Sequence, residues 1–148
     1  APSRGLGDVY KRQYTVSETL TRPVPGEVMT EFSDTPVYSE TMRDYRVHAG
    51  TDYTAAHGET VHACANGIVK ETHTDMLRGN MIVIEHGDYE VHYCGLGETF
   101  LVHEGDVVTA GQDIGSVTAA PFESALDSHL HIEVTRNGEP VDPESVFG

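Results

Sequence analysis

The feature that most constrains this chain is its punctuation. From Met29 onward, short apolar stretches of strand length alternate with turn signals, and no segment repeats its apolar residues at a helical period between caps. Turn pairs recur at Asn66-Gly67, Gly87-Asp88, Glu104-Gly105 and Ala110-Gly111, residue types that supply the backbone geometry of tight reversals. Between them the pattern predicts strands over 60–65, 67–74, 80–85, 89–94, 106–108, 113–118 and 129–135. A chain divided in this way folds as mainly antiparallel β, a two-sheet sandwich or a partly closed barrel, with little helix beyond a short stretch around residues 123–126.

Composition narrows the choice. The 148 residues suffice for one domain with a real core. A hydrophobic content of 38% with 15 glycines, 7 prolines and no tryptophan fits a turn-rich strand protein rather than a helical bundle or a disordered chain. A formal net charge of -15 opposes binding to nucleic acid phosphates or anionic lipid, so no nucleic-acid partner is expected. Two cysteines, Cys64 and Cys94, cannot build a disulfide framework or a four-cysteine zinc site, which leaves a single bridge or two buried thiols. No apolar run is long enough to span a bilayer and no signal-peptide pattern is present, so any membrane anchor is expected to lie outside these residues. Residues 1–13 lack helical and strand periodicity and resemble a translated adaptor, and are expected to be a non-native leader. The stretch 14–28, with Pro23 and Pro25, reads as a linker, and 29–148 as the folded domain.

Two segments carry chemistry. In His129-Leu130-His131 both imidazoles point to one face of a strand, because side chains two apart share a face. Some eighty residues upstream, His48-Ala49-Gly50-Thr51-Asp52 offers one more imidazole and one carboxylate across a glycine-containing turn. Three such ligands are the usual protein complement of a catalytic zinc, which keeps a fourth position open for water. Taken alone, a His-x-His pair is more often two solvated or hydrogen-bonded strand histidines, so the metal reading rests on the two segments together.

Those segments, with Gly105-Asp106-Val107-Val108, Gly111-Gln112-Asp113-Ile114-Gly115 and a strand running His129 to Val134 towards Val141-Asp142-Pro143, resemble the lysostaphin/LytM-type zinc endopeptidases over about residues 38–146. The lead-in from Val37 to His48 is closer still to the stage II sporulation protein Q subgroup, which is anchored in the forespore envelope. The resemblance implies the β fold of that peptidase type and one zinc ion held by His48, Asp52 and His131. It also implies that His129, not itself a ligand, stands beside the water on the metal, where it can move a proton or stabilise a tetrahedral oxyanion.

One position departs from the family. Active members carry a second non-ligand histidine in a Tyr-x-His-Leu element, where this chain has Tyr93-Cys94-Gly95-Leu96, and the sporulation subgroup often lacks it too. Losing a proton-transfer or oxyanion group costs roughly 10²–10⁴-fold in rate. Gly95→His is therefore expected to raise hydrolysis, provided position 95 does not hold a backbone conformation that only glycine tolerates. Along a regular strand His92 falls on the face opposite position 95, and Cys94 alternates away from it. His57, His62, His73, His86, His92 and His103 show no ligand spacing and read as structural or solvated. Neither His-Glu-x-x-His nor Gly-x-Ser-x-Gly is present, which removes support for other zinc proteases and for serine hydrolases.

The expected function is an extracytoplasmic zinc-binding peptidase-fold domain of the cell envelope, weakly active or inactive, serving in sporulation-type assembly with an envelope protein as partner. The alternatives are an active zinc metalloendopeptidase acting on peptidoglycan peptides and a metal-free β domain used for protein contacts.

Overall fold

The computed structural model describes residues 13–148; all of the leader expected at 1–13 except Gln13 lies outside the described residues. Twelve strands follow in order: β1 Val28–Thr30, β2 Ser33–Ser39, β3 Asp44–His48, β4 Thr51–Thr54, β5 Thr60–His62, β6 Gly67–Asp75, β7 Gly79–His86, β8 Tyr89–Leu96, β9 Val107–Val108, β10 Asp113–Ser116, β11 His129–Arg136 and β12 Glu139–Val141. The main sheet runs β1-β4-β11-β8-β7-β6-β9, with β12 also paired to β11. Every pairing between these strands is antiparallel. Strands β5 and β10 form one separate ribbon and β2 and β3 another. The architecture is mainly antiparallel β, as the punctuation of the sequence requires, and the sheet does not close into a barrel.

Each of the seven predicted strands has a counterpart. Strands β1 to β4 and β12 were not foreseen, and the reason is physical. β2 and β3 pair only with each other and bury almost nothing but His48, so alternation of apolar and polar residues is missing from them. β1 and β12 are three residues long, too short for a period to register. The helix expected around 123–126 is a single 3-10 turn slightly earlier, Pro121–Glu123.

Strand β11 divides the protein in two. Leu130, Ile132 and Val134 point into the main core with Tyr53, Val91, Tyr93, Ile82, Ile84 and Val69, and the β5/β10 ribbon contributes Val61 and Ile114 to the same cluster. Ahead of β1, Leu20 and Val24 belong to this cluster as well, while Thr21 N–H donates to Cys64 O and His62 N–H to Pro23 O, both at 2.9 Å. The other face of the sheet carries a small cluster of Met81, Val83 and Cys94, and here too lie His129, His131 and Glu133, alternating with the core residues of β11. Cys64 and Cys94 are both buried free thiols, one in the main core and one on the opposite side.

A polar chain crosses the core. His86 donates from Nδ1 to Asn66 O at 3.1 Å and accepts at Nε2 from the Tyr93 hydroxyl at 2.8 Å, and that hydroxyl accepts from Cys64 N–H at 3.0 Å. Every polar atom in this chain is satisfied by a neutral imidazole, so a proton added to Nε2 would meet a donor. Burial pushes the His86 pKa down to about 4. The unfolded chain therefore takes up a proton that the folded chain refuses, and the associated stability, complete above about pH 6.5, is lost as pH falls towards 4. The loss expected from this one group is roughly 3 kcal/mol. Urea unfolding at pH 7 and pH 4.5 should show that His86→Gln is less stable at neutral pH but loses less on acidification; an equal acid loss in both proteins would remove His86 as its source.

Candidate metal centre

The four residues singled out from the sequence come together on the polar face of the sheet. His48 closes β3, outside the main sheet, and Asp52 is the second residue of β4, inside it. The intervening bend passes so close to β11 that a Cβ on Gly50 would lie 2.2 Å from Ile132 O. Only glycine permits that approach. Antiparallel pairing of β4 with β11 then sets Asp52 directly opposite His131, with His129 opposite Thr54.

Each imidazole is oriented by its outer nitrogen. His48 donates from Nδ1 to Glu31 O at 2.9 Å, His129 from Nδ1 to Asp127 O at 2.7 Å, and His131 from Nε2 to Glu133 Oε2 at 2.9 Å. Glu133 is itself held by Arg78, whose Nε lies 2.9 Å away. The inner nitrogens converge on carboxylates. His131 Nδ1 is 2.7 Å from Asp52 Oδ1, and His48 Nε2 is 3.4 Å from Asp52 Oδ2. An imidazole anchored by one nitrogen so that the other faces a shared centre is the arrangement of metal-ligating histidines.

Glu123 completes the cluster. Its Oε2 lies 2.8 Å from His48 Nε2, and its Oε1 lies 3.0 Å from His131 Nδ1 and 3.1 Å from His129 Nε2. His48, Asp52, Glu123 and His131 each offer one ligand atom, all within 4.8 Å of one another, so these four could hold a metal ion; His129 is outside that set. Phe122 closes one side with its ring edge-on to His131 at 4.9 Å. The residues of the centre are themselves buried, Asp52 0% exposed, His131 1% and Glu123 6%, while a cavity between the β2–β3 hairpin and the Pro121–Glu123 turn is lined by His48 and Glu123.

The electrostatics fit a cation. Asp52 Oδ2 is buried without a hydrogen-bond partner, which is costly for a charged atom unless a cation satisfies it. Burial on its own lowers the pKa of His48, but Asp52 and Glu123 outweigh it and raise the group to about 9. His131 and His129 are likewise raised against burial, by Asp52 and Glu123 in the first case and chiefly by Glu123 in the second. Burial resists ionisation of Glu123, yet the three histidines hold it well below the usual carboxylate range. A divalent cation among these groups would take the place of protons on the inner imidazole nitrogens.

Reasoning from the sequence missed Glu123, Glu133, Arg78 and Phe122. Glu133 carried a signal, since it continues the period of two through His129 and His131. Glu123 carried none, because it lies in the connection between β10 and β11, where no periodicity applies. The expected placement of His92 and Cys94 also needs correction. Ile82 pairs with Tyr93 but Asn80 with Leu96, so β8 holds one extra residue. His92 and Cys94 are in register with Glu133 and His131 and share their face, and Gly95 occupies the bulge. His92 Nε2 is buried there without a hydrogen-bond partner.

The bulge also decides what position 95 can hold. Gly95 has φ +72°, and a Cβ there would lie 2.6 Å from Ala120 N and 2.8 Å from Ala119 C. The β10–β11 connection fills this space and is pinned across it, with Thr118 N–H donating to Gly95 O at 2.8 Å and Phe122 N–H to Leu77 O at 3.0 Å. The proviso attached to Gly95→His therefore fails on both counts, backbone conformation and room.

With this geometry established, comparison with known proteins gives the class. The sequence profile of peptidase family M23 matches residues 46–143. The chain belongs to peptidase family M23. Among curated relatives it is 35% identical over 106 residues to the DD-carboxypeptidase/endopeptidase Mpg of Neisseria meningitidis, covering 71% of this chain and 24% of that protein. It is 34% identical over 96 residues to the peptidoglycan DD-endopeptidase ShyA of Vibrio cholerae, covering 64% and 22%. The chain thus spans about a quarter of the length of the curated relatives it matches. Among solved structures, a zinc containing peptidase from Vibrio cholerae superposes with TM-score 0.70 at 26% identity, covering 87% of this chain and 39% of that one. A chain of the SpoIIQ-SpoIIIAH pore forming complex has TM-score 0.75 at 22% identity, covering 88% and 91%, a likeness of fold.

Substitution at the bulge gives a direct test. Gly95→Ala and Gly95→His should each lower stability by roughly 2–5 kcal/mol, the sum of a left-handed backbone penalty and overpacking against Ala119–Ala120. Thermal denaturation of the variants checks this, and a Gly95→His protein as stable as its parent would show that the connection yields.

Proposed function

We propose that this chain is an extracytoplasmic zinc-binding domain of the M23 peptidase fold, with little or no hydrolytic activity, serving in an assembly of the cell envelope. The observation that carries the reading is Gly95. The position from which active members present a second imidazole has no side chain, and backbone fills the space a side chain would need.

Within this reading His48 Nε2, Asp52 and His131 Nδ1 hold one zinc ion, and His129 stands next to it without ligating. Zinc, when bound, would supply Lewis acidity towards a carbonyl and lower the pKa of a coordinated water. The chain's own contribution is orientation. Arg78 holds Glu133, Glu133 holds the outer nitrogen of His131, and the carbonyls of Glu31 and Asp127 do the same for His48 and His129. A role in sporulation draws support from the lead-in to His48 and from the fold shared with a chain of the SpoIIQ-SpoIIIAH complex. An envelope protein is the corresponding partner, and attachment to a membrane would come from sequence beyond these residues.

The second reading, a zinc metalloendopeptidase cutting peptidoglycan peptides, is favoured by the identity with Mpg and ShyA and by the intact His129. Turnover separates the two. The purified protein should bind one zinc per chain, lose most of that affinity in His131→Ala and retain most of it in His129→Ala, and release soluble fragments from peptidoglycan at a rate near background. Enzyme-like turnover that His129→Ala abolishes would replace the first reading by the second.

A further inference from the structure

We infer that Glu123 is a fourth protein ligand of the metal, so that the centre is a closed four-coordinate site which fastens the β10–β11 connection over the sheet. The inference rests on the zinc-binding reading above and adds to it a ligand from a different part of the chain.

Spacing is the first argument. Zinc ligands at about 2.0–2.1 Å in a tetrahedron are about 3.3–3.4 Å apart along each edge. Glu123 lies 2.8 Å from His48 Nε2 through Oε2 and 3.0 Å from His131 Nδ1 through Oε1, just as Asp52 meets the same two nitrogens through its two oxygens at 3.4 and 2.7 Å. Glu123 therefore stands in the ring of ligand atoms. The contact with His129 agrees, because Glu123 Oε1 lies 3.1 Å from the imidazole that would otherwise face a water in the open position.

Charge is the second argument. One carboxylate and two neutral imidazoles leave a divalent ion with net positive charge, which a Lewis acid needs; a second carboxylate brings the buried centre to neutrality. A neutral, fully protein-ligated site is of the structural kind, without an open position for water.

Glu123 and Gly95 are linked. The segment that brings the carboxylate to the metal passes through the space over Gly95, and any side chain there would displace Ala119–Ala120 and with them the turn bearing Glu123. The missing imidazole and the added carboxylate are thus two aspects of one rearrangement. Thr41 Oγ1 receives Ala125 N–H at 2.9 Å, which ties the far end of the connection to the β2–β3 hairpin.

Cobalt(II) tests this without recourse to activity. The wild-type protein, stripped of metal and loaded with one equivalent of cobalt, should give the intense visible bands of a four-coordinate ion, unchanged by added azide. Glu123→Ala should bind zinc at least about tenfold more weakly, since even residues that only support a ligand cost 10–100-fold, and its cobalt bands should shift on azide addition as the vacated position fills. Limited proteolysis should cut the 117–128 connection faster in Glu123→Ala than in wild type, both loaded with zinc. Glu123→Gln, which keeps the shape and removes the charge, guards against a folding defect and should also lose affinity. Azide-responsive bands in the wild type, or zinc affinity untouched in both variants, overturns Glu123 as a ligand while leaving the zinc reading intact. A wild-type protein that binds neither metal overturns both.

Discussion

Two carboxylates, Asp52 and Glu123, are buried within reach of one another and of three imidazoles, and everything around them is arranged to make that tolerable. Buried charge is stable only when opposite charge and hydrogen bonds surround it. Here the outer nitrogens of the imidazoles are fixed on two backbone carbonyls and on Glu133, so the inner ones face the carboxylates. What remains, an Asp52 oxygen without a hydrogen bond that has only His48 at 3.4 Å, and histidines raised against burial, is an arrangement that a divalent cation would relieve. A centre of this kind doubles as a fastening. It joins the β2–β3 hairpin, strands β4 and β11, and the β10–β11 connection.

The scaffold that allows this is the two-faced strand β11. Its apolar residues enter the main core and are fully buried, which fixes the register by which His131 meets Asp52 on the other face. A slip of one residue would turn the histidines into the core and the aliphatics into the site, an exchange the core does not permit. Hydrophobic packing on one side of the sheet therefore holds charged geometry on the other, and the M23 site inherits its precision from Leu130, Ile132 and Val134.

Much of this was legible in the chain. Seven strands followed from alternation and turn chemistry, and the ordered motifs around His48, Asp52, His129 and His131 pointed to the family. Illegible were the hairpin of β2 and β3, which buries too little to leave a pattern, and the bulge in β8, which a period of two cannot represent. That bulge reversed the placement of His92 and Cys94 and made Gly95 a position for glycine alone.

The sequence by itself determined the sheet, the two histidine-bearing segments and the absence of a histidine at position 95, because each is written in local spacing, and local spacing controls which way a strand side chain points. Tertiary structure alone decided that a carboxylate from an irregular connection enters the centre. Glu123 is separated by 75 residues from His48, its 2.8 Å neighbour, and no periodicity connects the two. Their meeting depends on how a loop crosses a glycine bulge, which is a matter of packed volume rather than of pattern.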